Sequence, residues 1–413
     1  MESSTKRSLD VVIVGAGPGG LMAAETASSA GHSVTIFDQR RSPGRKFVLA
    51  GRGGLNMTHS EPLDDLLDRY GPERAYLEPA IRSFGPDELC GWAAGLGETP
   101  FVGSTGRVFP KSFRAVPLLR AWLRRLRARG VTFNGEHRWI GWDETGERPA
   151  LRFADRSGGI KLHEYDAAVL ALGGPSWPRV GSDGSWVDVL REQGVEVADL
   201  RPANCGVSVS WSAPLIDRFA GEPIKNAAII VDGEAVRGDP IVSQNGLEGG
   251  PVYAHSRRLR KQIEADGYGE LTIDLMPDLE LGDMVRRLVE RRQRKKSLST
   301  WLSRSGLSPV GISLMREATN NQLPTDPDAL GALTKAVTLR ITDLASIDRA
   351  ISCAGGVSWS AVDQTLRLND APATWVVGEM LDWEAPTGGY LLQAVFSTGH
   401  HVGAALEELS VRH

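Results

Sequence analysis

The hydrophobic pattern of this chain comes in blocks of distinct period. Leu9–Val14 is an apolar run that meets a glycine-rich turn and passes straight into a helix of small residues, Leu21–Ala27. Strand, turn and helix in that order predict the opening unit of a parallel sheet. A second strand, Ser33–Asp38, follows it. Residues 62–95 read mainly as helix. Val116–Arg129 is an amphipathic helix with a basic outer face, ended by Gly130. Val131–Trp142 and Ala150–Phe153 read as paired strands. Tyr165–Gly174 returns to the first pattern, a buried strand running into a double glycine.

After Arg201 the pattern changes. Short β-like stretches, Gly206–Trp211, Ala227–Val231 and Gly269–Asp274, are separated by many turns. Pro277 to about Ile347 is helical by pattern, as in Leu281–Arg291. Trp375–Val395 is again strand, loop and helix, with Gly388 and Gly389 at the start of the helix. The prediction is an α/β chain. A Rossmann-like domain is formed by 1–201 and 348–413. It is interrupted by a β-rich insertion, 202–275, and a helical insertion, 276–347, which together make a substrate or cap region.

Composition bounds the classes. At 413 residues the chain exceeds one typical domain. Hydrophobic content of 41% and charged content of 24% are those of a globular protein. A net charge of −4 gives no global attraction to nucleic acid or membrane. No apolar run approaches a membrane span, and Met1–Arg7 carries no apolar leader, so the expected compartment is the cytoplasm. Cys90, Cys205 and Cys353 are far apart, which predicts neither a disulfide framework nor a metal site.

The first turn carries the chemistry. Gly15-Ala16-Gly17-Pro18-Gly19-Gly20 is a Gly-x-Gly-x-x-Gly fingerprint in the context it requires. Gly15 allows the tight turn, Gly17 lets backbone N–H groups approach a pyrophosphate, and Gly20 lets helix and strand pack closely. Asp38, with Gln39 after it, ends the second strand where a ribose hydroxyl would be held. An NAD dehydrogenase would need only this one fingerprint. Here two more glycine loops, Gly173-Gly174 and Gly388-Gly389, stand at the ends of later elements. A longer cofactor touching all three would span a nucleotide and an isoalloxazine ring, which favours FAD. Gly388-Gly389 would offer N–H groups to the flavin N1/C2=O edge, where negative charge gathers on reduction.

The chain resembles the BaiN/YhiN-type NAD(P)/FAD-dependent oxidoreductases. The resemblance rests on Gly15–Gly20, Gly44-Arg45-Lys46, Asn56 with Thr58, and Arg107–Ser112. It continues through Ala171–Gly174 with Ser176, Pro178, Gly181 and Asp183-Gly184, then Ala354–Val357, Gly378-Glu379 with Leu381-Asp382, and Thr387–Tyr390 with Leu392-Gln393. It runs essentially from end to end. It implies an FAD-binding domain interrupted by a β-rich and a helical insertion, and NAD(P)H-driven reduction of activated carbon–carbon double bonds, with one branch reducing a uridine in ribosomal RNA. One loop departs: where the family reads Gly-Gly-Gly-Arg-Cys-Asn, this chain reads Gly51-Arg52-Gly53-Gly54-Leu55-Asn56. No role of that cysteine carries over.

Each candidate has a plainer alternative. Arg45 and Lys46 fit FAD phosphates, or a solvated basic loop. Asn56 and Thr58 fit the flavin or ribityl chain, or a turn. Glu379 fits the ribityl or pyrophosphate, or a helix start. Arg138 and Trp139 lie where backbone meets adenine in such folds, or in an exposed hairpin. Cys353 and Tyr390 are candidate proton donors, or a buried thiol and a packed ring; Leu391 follows at the same edge. His400 and His401 read as structural. The basic runs Arg257–Lys261 and Arg291–Lys296 are a solvated face or an RNA surface.

The expected activity is an FAD-dependent oxidoreductase with NAD(P)H as transient donor, in which flavin N5 passes hydride to a polarised double bond under the cap region. A small molecule is the expected substrate. An RNA uridine reductase, a flavin oxidase or monooxygenase, and a flavin-bearing binding protein without turnover are the alternatives.

Overall fold

The computed structural model describes residues 7–293 and 295–410. Met1–Lys6, read above for a leader, and Arg294 of the basic run lie outside the described residues. Two compact units result: residues up to Arg201 together with those from Ser352 onward, and Pro202–Ile351.

In the first unit, β1 (Asp10–Val14) leads into α1 (Pro18–Ser29), β2 (Ser33–Asp38) and a short α2 (Arg45–Ala50). Then come β3 (Thr58–His59), β4 (Phe101–Val102), β5 (Arg107–Phe109), α3 (Ala115–Ala128), β6 (Thr132–Gly135) and β7 (Ala167–Leu170). After the second unit the chain returns as β8 (Thr374–Val376) and α4 (Tyr390–Leu409). The central sheet is parallel throughout, in the order β8-β7-β1-β2-β6. Its β1 and β7 strands are buried almost entirely, as a parallel sheet covered on both faces requires. β3, β5 and β4 make a separate small antiparallel sheet.

Small residues set how α1 meets α4. A Cβ on Gly399 would stand 2.4 Å from the Gly19 carbonyl oxygen, and one on Gly403 2.5 Å from Cβ of Thr26. The two backbones therefore lie almost in contact. On its other side α1 carries Glu25, nearly buried, which accepts from Trp122 Nε1 at 3.1 Å and pairs with Arg125 and Arg129 at 2.8 and 2.9 Å. The basic face read over Val116–Arg129 thus includes two arginines, one in α3 and one at its C-terminal cap, that neutralise a buried acid.

The structure differs from the sequence reading in two places. Val131–Trp142 is not one strand: Glu136, at φ 63°, breaks it, so β6 joins the parallel sheet while His137–Asp143 pairs antiparallel with Ala150–Asp155. In the second unit the helical run ends at Lys335, and Val337–Ile341 is a strand beside Gly269–Asp274. Leu271, Ile273 and Val337 share one core with Met284, Leu288 and Leu314 from the helices. The β part and the helical part are therefore one compact unit. Helical periodicity cannot show a strand that closes onto a sheet from a distance.

Among the described residues, no helix is long and apolar enough to cross a membrane.

Candidate active site

Gly15 leaves β1 at φ 107°, and a Cβ there would lie 2.3 Å from the Ala171 carbonyl oxygen. A Cβ on Gly20 would lie 2.1 Å from the Gly15 carbonyl oxygen. Both positions need glycine for the fold itself. Gly17 is different: its φ is −81°, and a Cβ there would meet nothing within 4 Å. It faces open space at the start of α1, where Pro18 opens the helix and no side chain caps the first turn. Free N–H groups on such an opening suit an anion.

The opening lies on a groove. Its wall is drawn from distant parts of the chain: Gly15–Gly19, Asp38, Gln39, Arg45, Lys46, Gly173, Gly378 and Glu379 of the predicted residues, with Arg40, Val180–Ser182 and Val395 besides. Arg138 lies outside it and lines an adjoining hollow with Gln39, Trp139 and Asp183. Gly20 is a packing residue. Gly174 sits behind the wall, where a Cβ would stand 2.2 Å from Cys353 Sγ.

α4 carries the line of the groove onward. Gly399 touches Gly19, Val395 lines the wall, and Gly389 begins the helix ten residues before Gly399, about 15 Å along its axis. At that end a Cβ on Gly389, at φ 102°, would stand 2.6 Å from the Thr58 carbonyl carbon. Thr58, Gly388, Gly389, Tyr390 and Leu391 thus gather at one place, with Asn56 two residues before Thr58 in the chain. They do not line the groove at the first turn; six residues of α4, about 9 Å of helix, separate Gly389 from Val395 in its wall.

The chemistry of the groove and of the start of α4 is specific. Lys46 Nζ donates to the Gly174 carbonyl at 3.0 Å and lies 3.6 Å from Glu379 Oε2. Four polar atoms, Asn56 Oδ1, Thr58 Oγ1, Ser176 Oγ and Glu379 Oε1, are buried without a hydrogen-bond partner among the described residues. Each such atom costs about 1–3 kcal/mol unless something bonds it. A cofactor with a charged middle and polar groups along its length fits this set: phosphate at the open first turn, hydroxyls at Glu379, and a ring edge at Asn56, Thr58 and the start of α4.

Asp38 holds its own turn. Oδ2 accepts from Ala16 N at 2.7 Å and Oδ1 from Arg40 N at 2.6 Å. Burial still raises its carboxyl above the ordinary value, against the lowering effect of those two bonds and of Arg40. A ribose at this acid would share oxygens already engaged with the backbone. Cys353 is buried, and burial first, then the Glu379 carboxylate, pushes its thiol well up. Tyr390 is buried too, its ring stacked on His59 at 5.5 Å. Its phenol meets Glu61 and Arg69, and burial followed by the Glu61 carboxylate raises it. Tyr70 donates its hydroxyl to the Tyr390 carbonyl at 2.8 Å.

Sequence reasoning missed Glu61, Arg69 and Tyr70, which fix the first residue of α4, because no local pattern ties 61–70 to 390. It also left Gly181 without a role. Gln39 Nε2 donates to the Gly181 carbonyl at 3.0 Å, and Arg40 to the Pro178 carbonyl at 2.6 Å, drawing the 175–184 loop over the groove. The Ser176–Gly184 motif was the available signal.

The family described as HI0933-like protein Rossmann domain matches residues 9–405. A 3-dehydro-bile acid delta(4,6)-reductase of Clostridium scindens is 26% identical over 96% of this chain and 98% of its own length. A ribosomal RNA dihydrouridine synthase of Escherichia coli is 22% identical over 94% of this chain and 96% of its own. In fold the chain resembles the open conformation of a flavocytochrome c3 fumarate reductase, with a TM-score of 0.54 and 12% identity, over 98% of this chain and 79% of that one. With the groove and its glycine turns, these likenesses lead to one conclusion: the chain belongs to the HI0933-like family of Rossmann flavoproteins and is an FAD-dependent oxidoreductase.

Proposed function

We propose that the protein is an NAD(P)H-driven reductase of an activated carbon–carbon double bond in a small molecule. The observation that carries the reading is that the relatives matched over nearly their whole length are named for one kind of step. A delta(4,6)-reductase and a dihydrouridine synthase both saturate a ring double bond. The reading is further supported by the single dinucleotide fingerprint, which leaves NADH or NADPH to bind transiently. FAD, when bound, supplies two-electron transfer between donor and substrate.

The protein's part is to hold and orient. Gly17, Gly19 and the free start of α1 bind the pyrophosphate, with Arg45 as a cation at the rim. Glu379, held by Lys46, accepts from hydroxyl groups. The start of α4, pinned by Tyr390 on Glu61 and Arg69, stabilises negative charge at the ring edge. Tyr390 and Cys353 both stay protonated at neutral pH because burial raises them. The phenol is engaged with Glu61, so the thiol beside Gly174 is the freer of the two to hold a proton.

The test is anaerobic mixing of the purified yellow protein with NADH and with NADPH. Bleaching of the flavin by either, and reoxidation by an enone but not by the saturated ketone, is expected. A flavin that neither nucleotide reduces would refute the reading.

A second reading, reduction of uridine in RNA, is favoured by the exposed cations Arg286, Arg291, Arg292, Lys295 and Lys296 of the second unit and by the dihydrouridine synthase relative. A deletion strain that retains every dihydrouridine in its ribosomal RNA would exclude it.

A further inference from the structure

The small sheet carries an aromatic face that the cofactor site does not use. In an antiparallel ladder, residues directly opposite share a face. Phe101 lies opposite Phe109, and Arg107 opposite His59. On β5, Arg107 and Phe109 are two residues apart, so all four share one face, while Val108 is buried on the other. Phe113 joins them from the following turn, its ring 4.8 Å from Phe109 and 6.4 Å from Phe101. At the other end of the stripe Tyr390 stacks on His59. The face therefore runs from the start of α4 outward.

Three features mark it as more than loose surface. Phe101 is 45% exposed and Phe113 43%. Phe113 also holds φ 62°, a left-handed conformation that bulky residues rarely adopt. Its ring occupies the space over Gly54, where a Cβ would stand 2.4 Å from it, and its carbonyl accepts from Leu55 N at 3.0 Å. The next residue is Asn56, whose Oδ1 is buried without a partner. The aromatic face and the inferred ring end of the cofactor site thus meet at Gly54–Asn56.

Charge narrows the occupant. Residues 99–114 contain Arg107, Lys111 and Arg114 and no acid, and Arg52 stands beside Gly53 and Gly54. These four side chains are exposed, and none makes an ion pair with another described residue. The two acids close in sequence reach the same neighbourhood and are already bonded there: Glu61 pairs with Arg69 and lies 3.6 Å from His59 Nδ1, and Glu98 accepts from Ser112 N. An aromatic face that carries Arg107, with three more unpaired cations close to it in sequence, matches a ligand that is itself flat, apolar and negatively charged.

We propose that Phe101, Phe109 and Phe113 form the substrate-binding wall of the reductase site, and that Arg107, Lys111, Arg114 and Arg52 select substrates joining an apolar ring system to an anionic group. This rests on the reductase reading. Stacked rings supply area without directional demands, so the wall sets size and flatness, and the cations set the end that carries charge.

The test uses the oxidised holoenzyme, without NAD(P)H, and 1-anilinonaphthalene-8-sulfonate as probe, with neutral N-phenyl-1-naphthylamine as its uncharged counterpart. The expected result is one sulfonate probe per chain, with a perturbed flavin spectrum. Phe113→Ala or Phe101→Ala should weaken it about tenfold, about 1.4 kcal/mol. Arg107→Gln with Lys111→Gln should weaken the sulfonate but leave the neutral probe unchanged. FAD content equal to wild type shows that each variant is folded, and Phe101, exposed and at φ < 0, covers the case in which Phe113→Ala is not. Equal affinities in all variants would overturn the proposal. So would a single-stranded oligouridylate that binds tightly and is lost in the same variants while the sulfonate probe is unaffected. Because no turnover is read, failure here is distinct from failure of NAD(P)H to reduce the flavin.

Discussion

Replacing Gly17 with alanine separates the cofactor role of the first turn from its structural role. At φ −81° alanine is allowed, and its methyl would meet no protein atom within 4 Å. Removing glycine's freedom from the unfolded chain adds about 0.4–1 kcal/mol of stability where the backbone conformation suits. For a chain of this size that is a rise of roughly 2 °C or less in the Tm of the apoprotein. The cofactor is affected in the opposite direction. The methyl fills the space through which a phosphate reaches the N–H groups of α1. A hydrogen bond to a charged group is worth about 1.5–3 kcal/mol, so losing one or two weakens FAD by roughly a hundredfold. The assay is quenching of FAD fluorescence on titration of apoprotein, beside a thermal melt of the same sample. Gly15→Ala is the control, since its methyl would collide with Ala171 and should lower the apoprotein melt. Wild-type FAD affinity in a stable Gly17→Ala protein would refute the placement of the pyrophosphate.

Three further outcomes follow from other parts of the structure. Glu25→Ala strands Arg125, Arg129 and the Trp122 N–H; breaking a buried pair costs about 3–5 kcal/mol, reduced here to about 2 by the partial exposure of both arginines, and urea unfolding should read that loss. Burial tends to raise the Glu61 carboxyl, but the Arg69 and Tyr390 hydrogen bonds and the Arg69 charge win, and its folded value lies below 4.5. Its contribution is therefore present above the unfolded value and lost as pH falls through the folded one, so Glu61→Gln should lose less Tm than wild type between neutral and acid pH, and equal losses would contradict the pairing. Burial and Glu379 hold the Cys353 thiol neutral, so it should resist disulfide reagents in the folded enzyme, and Cys353→Ala should keep NAD(P)H reduction of FAD within about twofold while slowing substrate turnover if the thiol holds the transferred proton.

The glycines were the legible part of the site because they answer to local backbone geometry. Gly15 and Gly20 are demanded by contacts within one βα unit, and a turn of that kind leaves a spacing in sequence. The convergence of Gly173, Glu379 and the first turn on one groove was also readable, since strands of a parallel sheet end on the same edge. The use of Asp38 was not. Two backbone N–H groups claim its oxygens, and that depends on how the chain turns back at Arg40. Tyr390 was legible as a neighbour of the glycine pair but not as a ring fixed by Glu61, Arg69 and Tyr70, residues some 320 positions away in sequence. The aromatic face of the small sheet escaped notice because its strands are two or three residues long, too short to show alternation.

A crystal structure of the holoenzyme tests the central claim most directly. The account predicts one FAD per chain, its pyrophosphate on the N–H groups of Gly17 and Gly19 and its ring edge against Thr58 and the Gly388–Gly389 start of α4. A pyrophosphate elsewhere, or a flavin ring that approaches neither Thr58 nor Gly389, would contradict it.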